Sequence, residues 1–164
     1  MADLDHALLH DAVTLLKKRA YSAAELRKKL SDRSNRADAE AVLLKLEELH
    51  LVDDQVYAYN FAVSRLGHRG WGPVRIRSEL RRRSVPSAII DAALERACPA
   101  PVLEQSLKQS LERFCSQRGT PQDLRGVRRL VQHLQRKGFG PHEIRPMLRS
   151  ILAAVVWQRF EEEG

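Results

Sequence analysis

The most informative segment of this chain is Gly70-Trp-Gly-Pro-Val-Arg-Ile-Arg-Ser-Glu-Leu80. It aligns without gaps with two others, Ala20-Tyr-Ser-Ala-Ala-Glu-Leu-Arg-Lys-Lys-Leu30 and Gly138-Phe-Gly-Pro-His-Glu-Ile-Arg-Pro-Met-Leu148. Each copy follows a basic residue, carries an aromatic residue in its second position and ends on an apolar pair spaced i, i+4. That spacing places both apolar side chains on one face of a helix. The chain therefore contains an internal repeat built from helices.

The first residues of each copy have the chemistry of a helix start. Ser22-Ala-Ala-Glu25 matches a capping box, in which two side chains satisfy the free backbone N–H groups. Pro73 and Pro141 follow glycines and suit the first helical position, where a missing N–H group has no cost. Asp53 or Asp54 is expected to cap the helix that begins between the first two copies.

Helical patterns also lie on both sides of these copies, so we predict three tandem three-helix repeats. The predicted boundaries are 1–51, 52–98 and 99–164. An additional helix at about 101–118 reorganises the third repeat, and the chain then restarts with Thr120 as cap, Pro121 as first helical residue and an early Asp123. The fold class is thus all-α. Because such small units bury little core alone, we expect them to stack into an elongated, curved array.

Composition agrees with helices and excludes several classes of protein. The 164 residues include 28 Lys+Arg and 21 Asp+Glu, a net charge of +7, with only 5% aromatic residues. The longest apolar run, 151–157, is far shorter than the roughly 20 residues that span a bilayer, so no membrane association is expected. The N-terminus lacks the pattern of a secretory signal, and Cys98 and Cys115 cannot form a disulfide framework. A cytoplasmic location is expected.

No pattern of an enzyme or a cofactor site is present. The glycines at 67–72 follow no strand and precede no Gly-Lys-Ser/Thr, which argues against a nucleotide site. His6 and His10 lack further ligands for a metal, and neither cysteine has a Cys-x-x-Cys partner. We therefore expect a non-enzymatic protein without cofactor or metal.

The positive charge is concentrated in two stretches. Residues 65–83 hold seven arginines against Glu79 alone, and residues 113–149 hold nine basic against two acidic side chains. The segments around them are mildly acidic. Such clusters attract polyanions or an acidic protein groove, although they also occur on solvated helix faces.

A family resemblance lies in two stretches, Leu49-His-Leu-Val-Asp-Asp-Gln-Val-Tyr-Ala-Tyr-Asn-Phe-Ala62 and residues 69–80. Their Asp-Asp and Gly-aromatic-Gly-Pro helix starts resemble those of the RecX family of RecA regulators. Lys137-Gly-Phe139 is similar to the corresponding junction of the last repeat, and the resemblance covers about residues 7–152. One position departs from the pattern: Ser84-Val85 stands where many relatives have Gly-Ile, so that turn is expected to differ.

The resemblance implies a protein that binds the groove of the RecA–DNA filament. It implies inhibition of recombinase and ATPase activity, and thereby a role in recombination, DNA repair and the SOS response. The implied partners are the RecA filament and, weakly and non-specifically, single- or double-stranded DNA. We expect the protein to act as a monomer. A stand-alone DNA-binding module of helix-turn-helix type is the alternative.

Comparison between the repeats selects the residues expected to bind the partner. Arg75 replaces Glu25 and Glu143 of the other copies, and a helical projection places Arg75 and Arg82 opposite Leu80, facing solvent. The equivalent arginines Arg27, Arg77 and Arg145, in contrast, suit a structural role at the core edge. Trp71 shares its position with Tyr21 and Phe139, which favours packing over base stacking. The complete set of candidate binding residues is Arg69, Arg75, Arg81, Arg82, Arg83, Arg125, Arg128, Arg129 and Arg136.

Overall fold

The computed structural model describes residues 5–152, and all regular structure in this range is helical. The all-α prediction is therefore confirmed. The described helices are α1 (His6–Lys18), α2 (Ala23–Ser31), α3 (Arg36–Glu48), α4 (Asp54–Arg69), α5 (Pro73–Arg82), α6 (Ser87–Ala97), α7 (Ala100–Arg118), α8 (Leu124–Lys137) and α9 (Pro141–Ile151).

Local capping chemistry explains where these helices begin. The Ser22 hydroxyl accepts from the N–H of Glu25, whose carboxylate accepts in turn from the N–H of Ser22, so the predicted capping box is present. Pro73 and Pro141 are the first residues of α5 and α9, as predicted. Asp53 caps α4, because its Oδ1 accepts from the N–H groups of Gln55 and Val56.

Asp54 has a different task from its neighbour. Its Oδ1 accepts a hydrogen bond of 2.9 Å from the N–H of Ala23, the first residue of α2. Burial raises the pKa of the Asp54 carboxyl, and the nearby charge of Asp53 raises it further. The adjacent aspartates therefore cap two separate helices, Asp53 the start of α4 and Asp54 the start of α2. The sequence pattern did not show which of them caps α4.

The start of α8 differs from the prediction. The helix begins at Leu124, and Asp123 is its N-cap, accepting from the N–H of Gly126 at 2.6 Å. Thr120 and Pro121 lie outside the helix, because a short aspartate side chain reaches the free N–H groups of the first turn and Asp123 is the last such residue before the apolar pattern begins.

The turn after α5 keeps a left-handed residue although no glycine is present. Ser84 has a φ of 57°. Its N–H donates to the carbonyl of Arg81, and the N–H of Val85 donates to that of Leu80, which is the Schellman pattern of a helix end. Ser84 therefore ends α5 in a backbone conformation that favours glycine. The expected difference from the family's turn stays a prediction.

Packing divides the chain into two compact units. Of the described residues, one unit comprises 5–61 and 79–93, and the other comprises 62–78 and 94–152. The helices α4, α5 and α6 each contribute residues to both units. The repeat boundaries read from the sequence stay a prediction.

Each unit has its own apolar core. In the first unit, α1, α2 and α3 bury leucines such as Leu26, Leu30 and Leu43. In the second unit, α7, α8 and α9 bury a core that includes Phe114, Leu130, Leu134 and Leu148. The apolar pairs of the first and third copies, Leu26/Leu30 and Ile144/Leu148, lie in these cores, and the middle pair Ile76/Leu80 is also fully buried, as the pattern predicts.

Candidate anion-binding surface

Two glycine-containing turns of the second unit lie against each other. They are residues 70–72, before α5, and residues 138–140, before α9; together we call them the paired turn. The N–H of Gly72 donates to the carbonyl of Lys137 at 2.7 Å, and the N–H of Val74 donates to that of Gly138 at 3.1 Å. The last carbonyls of α8 thus satisfy free N–H groups at the start of α5.

Glycine is required in the paired turn because backbone meets backbone. A Cβ on Gly72 would overlap the carbonyl group of Gly138. A Cβ on Gly138 would lie 2.5 Å from the Cβ and the backbone nitrogen of Arg75, and Gly138 has a φ of 93°. The Gly-aromatic-Gly pattern of the second and third copies therefore serves the close approach of the two turns.

The close approach brings together the basic residues that precede each turn. The Nζ of Lys137, at the end of α8, donates to the carbonyl of Arg69, at the end of α4, over 3.3 Å. The Arg75 guanidinium lies 4.1 Å from the centre of the Trp71 ring and donates to the carbonyl of Arg136 at 3.3 Å. Both bonds place a cation at the C-terminal end of a helix, where the helix dipole is negative.

A fourth cation, Arg113, comes from α7. Two buried serines of that helix bind the end of α4: Ser106 donates to the carbonyl of Leu66 at 3.0 Å and Ser110 to that of Gly70 at 3.1 Å. Arg113 follows on the same face of α7, one turn later. Its Nη1 lies 3.8 Å from the position a Cβ of Gly70 would take. We call Arg69, Arg75, Arg113 and Lys137 the junction cluster.

The four charges of the junction cluster repel one another. Burial lowers the pKa of Lys137, and the positive charges of Arg75, Arg113 and Arg69 lower it further. Within residues 5–152, none of the four forms an ion pair with a carboxylate. The cluster can therefore accept an anionic group from outside the chain.

The corresponding position of the first repeat is compensated. There Arg19 lies 3.8 Å from the centre of the Tyr21 ring and forms an ion pair of 3.6 Å with Glu25. In the second repeat the same three positions hold Arg69, Trp71 and Arg75. Replacement of the carboxylate by a guanidinium thus removes the internal counter-charge and adds a cation.

Arg75 was expected to face solvent, and this expectation is wrong. The residue is half-buried and lies over Trp71. A helical projection shows only where a residue lies relative to the apolar face of its own helix. It does not show that the end of α8 lies beside the start of α5. Trp71 is half-buried, with Arg65 also over its ring at 5.4 Å, whereas Tyr21 and Phe139 are buried.

The arginines at the end of α5 lie in the first unit and differ among themselves. Arg81 is exposed, and Arg82 is exposed with an i, i+3 ion pair to Glu79 of 3.2 Å. Arg83 is half-buried: it pairs with Glu79 at 3.0 Å, lies over the Phe61 ring at 4.9 Å, and its carbonyl accepts from Ser22. These contacts hold the Arg83 side chain in the unit, and its part in partner binding stays a prediction.

The remaining candidates share one face of α8. All are exposed and lie on the side opposite the buried Val127, Leu130 and Leu134. We call them the α8 arginine face: Arg125, Arg128, Arg129 and Arg136. Of the arginines compared between repeats, Arg27 is half-buried and pairs with Glu40, Arg77 is half-buried and Arg145 is exposed.

Lys137 and Arg113 were not among the candidate residues identified from the sequence. Lys137 carried a signal, since it occupies the basic position before the third copy, equivalent to Arg19 and Arg69. Arg113 carried none, because α7 has no counterpart in the other repeats. Its placement depends on the contacts of Ser106 and Ser110, which no local pattern indicates.

The structure offers no metal centre in the part of the chain that it describes, since no three metal-ligating side chains come together there. Both cysteines are free, and burial raises the pKa of the Cys98 thiol to about 11, which makes it a poor ligand and nucleophile at neutral pH. No helix among residues 5–152 is long and apolar enough to span a membrane.

Known proteins share this helical-repeat fold. A crystal structure of RecX from Lactobacillus salivarius superposes with a TM-score of 0.79 at 18% identity, covering 88% of this chain and 94% of that one. A second structure, described as regulatory protein RecX, superposes with a TM-score of 0.77 at 24% identity, covering 88% and 72%. Both likenesses concern the fold.

The sequence comparisons define the family. The family model for the second three-helix domain of RecX matches residues 53–94. Regulatory protein RecX of Halorhodospira halophila is 38% identical over 135 residues, 82% of this chain and 81% of that protein. The protein of the same name from Prosthecochloris aestuarii is 34% identical over 155 residues, covering 93% and 99%. The chain belongs to the RecX family of regulatory proteins.

Proposed function

We propose that this protein binds the RecA–DNA filament and inhibits recombinase and ATPase activity, and thereby modulates recombination and DNA repair. The observation that carries the proposal is membership of the RecX family over most of the chain, at 38% identity to a regulatory protein. A filament of protein and DNA presents both carboxylates and phosphates. The basic junction cluster and the α8 arginine face suit such a partner.

Occlusion of the filament is the mechanism that we propose. A regulator held in the groove blocks the path of a second DNA strand and hinders the rearrangements that accompany ATP hydrolysis. Exposed guanidinium groups along one helix can reach successive phosphates or carboxylates, each with two parallel hydrogen bonds. We assign such contacts to the α8 arginine face, Arg69 and Arg75 of the second unit, and separately to Arg81, Arg82 and Arg83 of the first unit. The protein would act as a monomer in the cytoplasm, where the recombinase and its DNA are located.

The test is the DNA-dependent ATPase of a bacterial RecA on single-stranded DNA, with strand exchange measured in parallel. Stoichiometric amounts of the protein should lower both rates. Arg125→Glu should weaken the inhibition, whereas Arg149→Glu, a charge reversal at an exposed position on α9, should retain it. Rates that stay unchanged with the wild-type protein would contradict the proposal.

Binding to DNA in the absence of recombinase distinguishes a filament regulator from the alternative, a stand-alone helix-turn-helix module. A stand-alone DNA-binding protein holds a preferred duplex sequence tightly, because side chains read base edges in the groove. The filament regulator should bind naked DNA weakly and without preference, with an affinity that falls steeply as salt rises. Tight, sequence-selective binding in the absence of RecA would favour the alternative.

A further inference from the structure

The junction cluster contains more cationic donors than the fold uses. Arg75 and Lys137 each give one hydrogen bond to a carbonyl, those of Arg136 and Arg69. Since a guanidinium has five N–H donors and an ammonium three, most donors of both side chains remain available. Arg69 and Arg113 are exposed and use none of their side-chain donors for a hydrogen bond within residues 5–152.

Compensation of helix ends explains only part of this arrangement. The ends of α4 and α8 lie beside Lys137 and Arg75, and one cation at each end would be enough to offset the helix dipole. Arg69 and Arg113 add two charges that oppose the charge on Lys137. A purely structural cluster would include a carboxylate, as the equivalent position of the first repeat does with Glu25.

We infer that the junction cluster is a phosphate-binding site. A phosphate offers several acceptor oxygens to donors from different directions, whereas a carboxylate has two oxygens in one plane. The four cations lie on four different helices, α4, α5, α7 and α8, around the paired turn. The phosphate can belong to a nucleic acid backbone or be free in solution.

Trp71 adds no base recognition to this site. The guanidinium groups of Arg75 and Arg65 already lie over its ring, at 4.1 and 5.4 Å. A base would have to displace them in order to stack. The cluster therefore holds the phosphate of any nucleotide, and binding should not depend on base identity. This inference deepens the proposed function, on which it rests for its biological role, by naming the chemical class that the basic surface of the second unit takes.

Two single variants and one matched control test the site. Arg113→Gln and Lys137→Gln each remove one charge from the cluster, and Lys108→Gln removes one from an exposed position on α7 outside it. Binding of a fluorescent thymidine oligonucleotide is measured without recombinase over a series of salt concentrations. Each cluster variant should weaken binding about tenfold and lower the slope of log K against log salt by about 0.7. The Lys108 variant should match the wild type.

Thermal unfolding of the same variants separates a binding role from a structural one. Because the positive charge of Lys137 is repelled by the cations beside it, Lys137→Gln should keep or raise the midpoint of unfolding. Two results together would overturn the inference: Lys137→Gln loses both stability and binding, and Arg113→Gln binds the oligonucleotide as the wild type does.

Two competitors then define the ligand. Poly-L-glutamate should fail to displace the oligonucleotide, and equal displacement by it would overturn the inference in favour of carboxylates. Millimolar inorganic phosphate that displaces the oligonucleotide shows that free phosphate also fits. Phosphate that does not displace it restricts the site to a nucleic acid strand, and both results support a phosphate ligand. Because RecA is absent from these measurements, their outcome does not depend on whether the protein inhibits the recombinase.

Discussion

The N–H of Gly72 donates to the carbonyl oxygen of Lys137 across 2.7 Å, and this bond joins the start of α5 to the end of α8. It is possible only because neither Gly72 nor Gly138 has a side chain. The junction cluster forms around this contact. The backbone geometry of the paired turn therefore determines which cations share a surface.

Gly72→Ala tests the close approach directly. The new Cβ overlaps the carbonyl group of Gly138, so the two turns must separate, and we expect a loss of about 1–3 kcal/mol in the free energy of unfolding. Gly67→Ala is the matched control. Gly67 lies within α4, and a Cβ added there would meet no neighbouring atom within 4 Å, so alanine should stabilise that helix by about 0.5–1 kcal/mol. Urea denaturation measures both. An unchanged midpoint for Gly72→Ala would contradict the contact.

Ser84→Gly should stabilise the protein. Ser84 has a φ of 57°, which is unfavourable for a residue with a Cβ, and glycine at this helix end removes that strain. We expect a gain of about 1 kcal/mol, measured by thermal or urea unfolding. Ser84→Ala keeps the Cβ and should bring no gain, so equal stabilisation by both variants would show that the backbone conformation is not the cause.

Leu80→Ala should be strongly destabilising. Leu80 is 0% exposed, and its truncation leaves a cavity that costs about 2–5 kcal/mol. Val74→Ala, in the same helix but 62% exposed, should change stability by less than about 0.5 kcal/mol. The comparison of unfolding midpoints is informative because both variants delete methyl groups from α5. Similar effects of the two would show that the buried face is assigned incorrectly.

Arg75→Gln and Arg82→Gln should differ in stability. The Arg75 variant loses the contact with the Trp71 ring and the bond to the Arg136 carbonyl, which together are worth about 1 kcal/mol. Arg82 has a 74% exposed side chain, and loss of its pair with Glu79 should cost less than about 0.5 kcal/mol. Thermal unfolding of each variant checks the order, and a larger effect at Arg82 would reverse our assignment.

His133 should make stability depend on pH. Burial lowers its pKa, and the charges of Lys137, Arg136 and Arg118 lower it further; its ring lies 5.2 Å from that of Phe114. As pH falls below the ordinary value of 6.5, the unfolded chain binds a proton before the folded chain does, so stability decreases down to the lowered pKa. His133→Gln should lose less of its unfolding midpoint than the wild type does between neutral pH and pH about 5. Parallel pH profiles would contradict this account.

Local elements of the fold were predictable because their causes are local. The capping box at Ser22, the first helical residues Pro73 and Pro141, and the apolar pair Ile76 and Leu80 all act within one or two turns of the chain. The predicted start of α8 was wrong for a related reason. Thr120 and Asp123 are both good caps, and only the folded chain shows which of them reaches the first N–H groups.

The binding surface was predictable in part. Comparison between the repeats identified Arg75 as a charge peculiar to the middle copy, and Arg69 was among the candidates. The direction of Arg75 and the place of Arg83 were not predictable, because they depend on contacts with distant residues. Arg75 donates to the Arg136 carbonyl, and Arg83 contacts Phe61 and Ser22. Which cations of the surface bind a partner stays a prediction.

The helices, their order and the resemblance between the repeats follow from the amino-acid sequence alone, since caps, prolines and the 3.6-residue period depend on near neighbours in the chain. The grouping of Arg69, Arg113 and Lys137, from three different helices, around one pair of glycine turns is visible only in the folded chain. The physical reason is that their approach depends on backbone contacts between distant segments. Such contacts arise when the second unit packs its core.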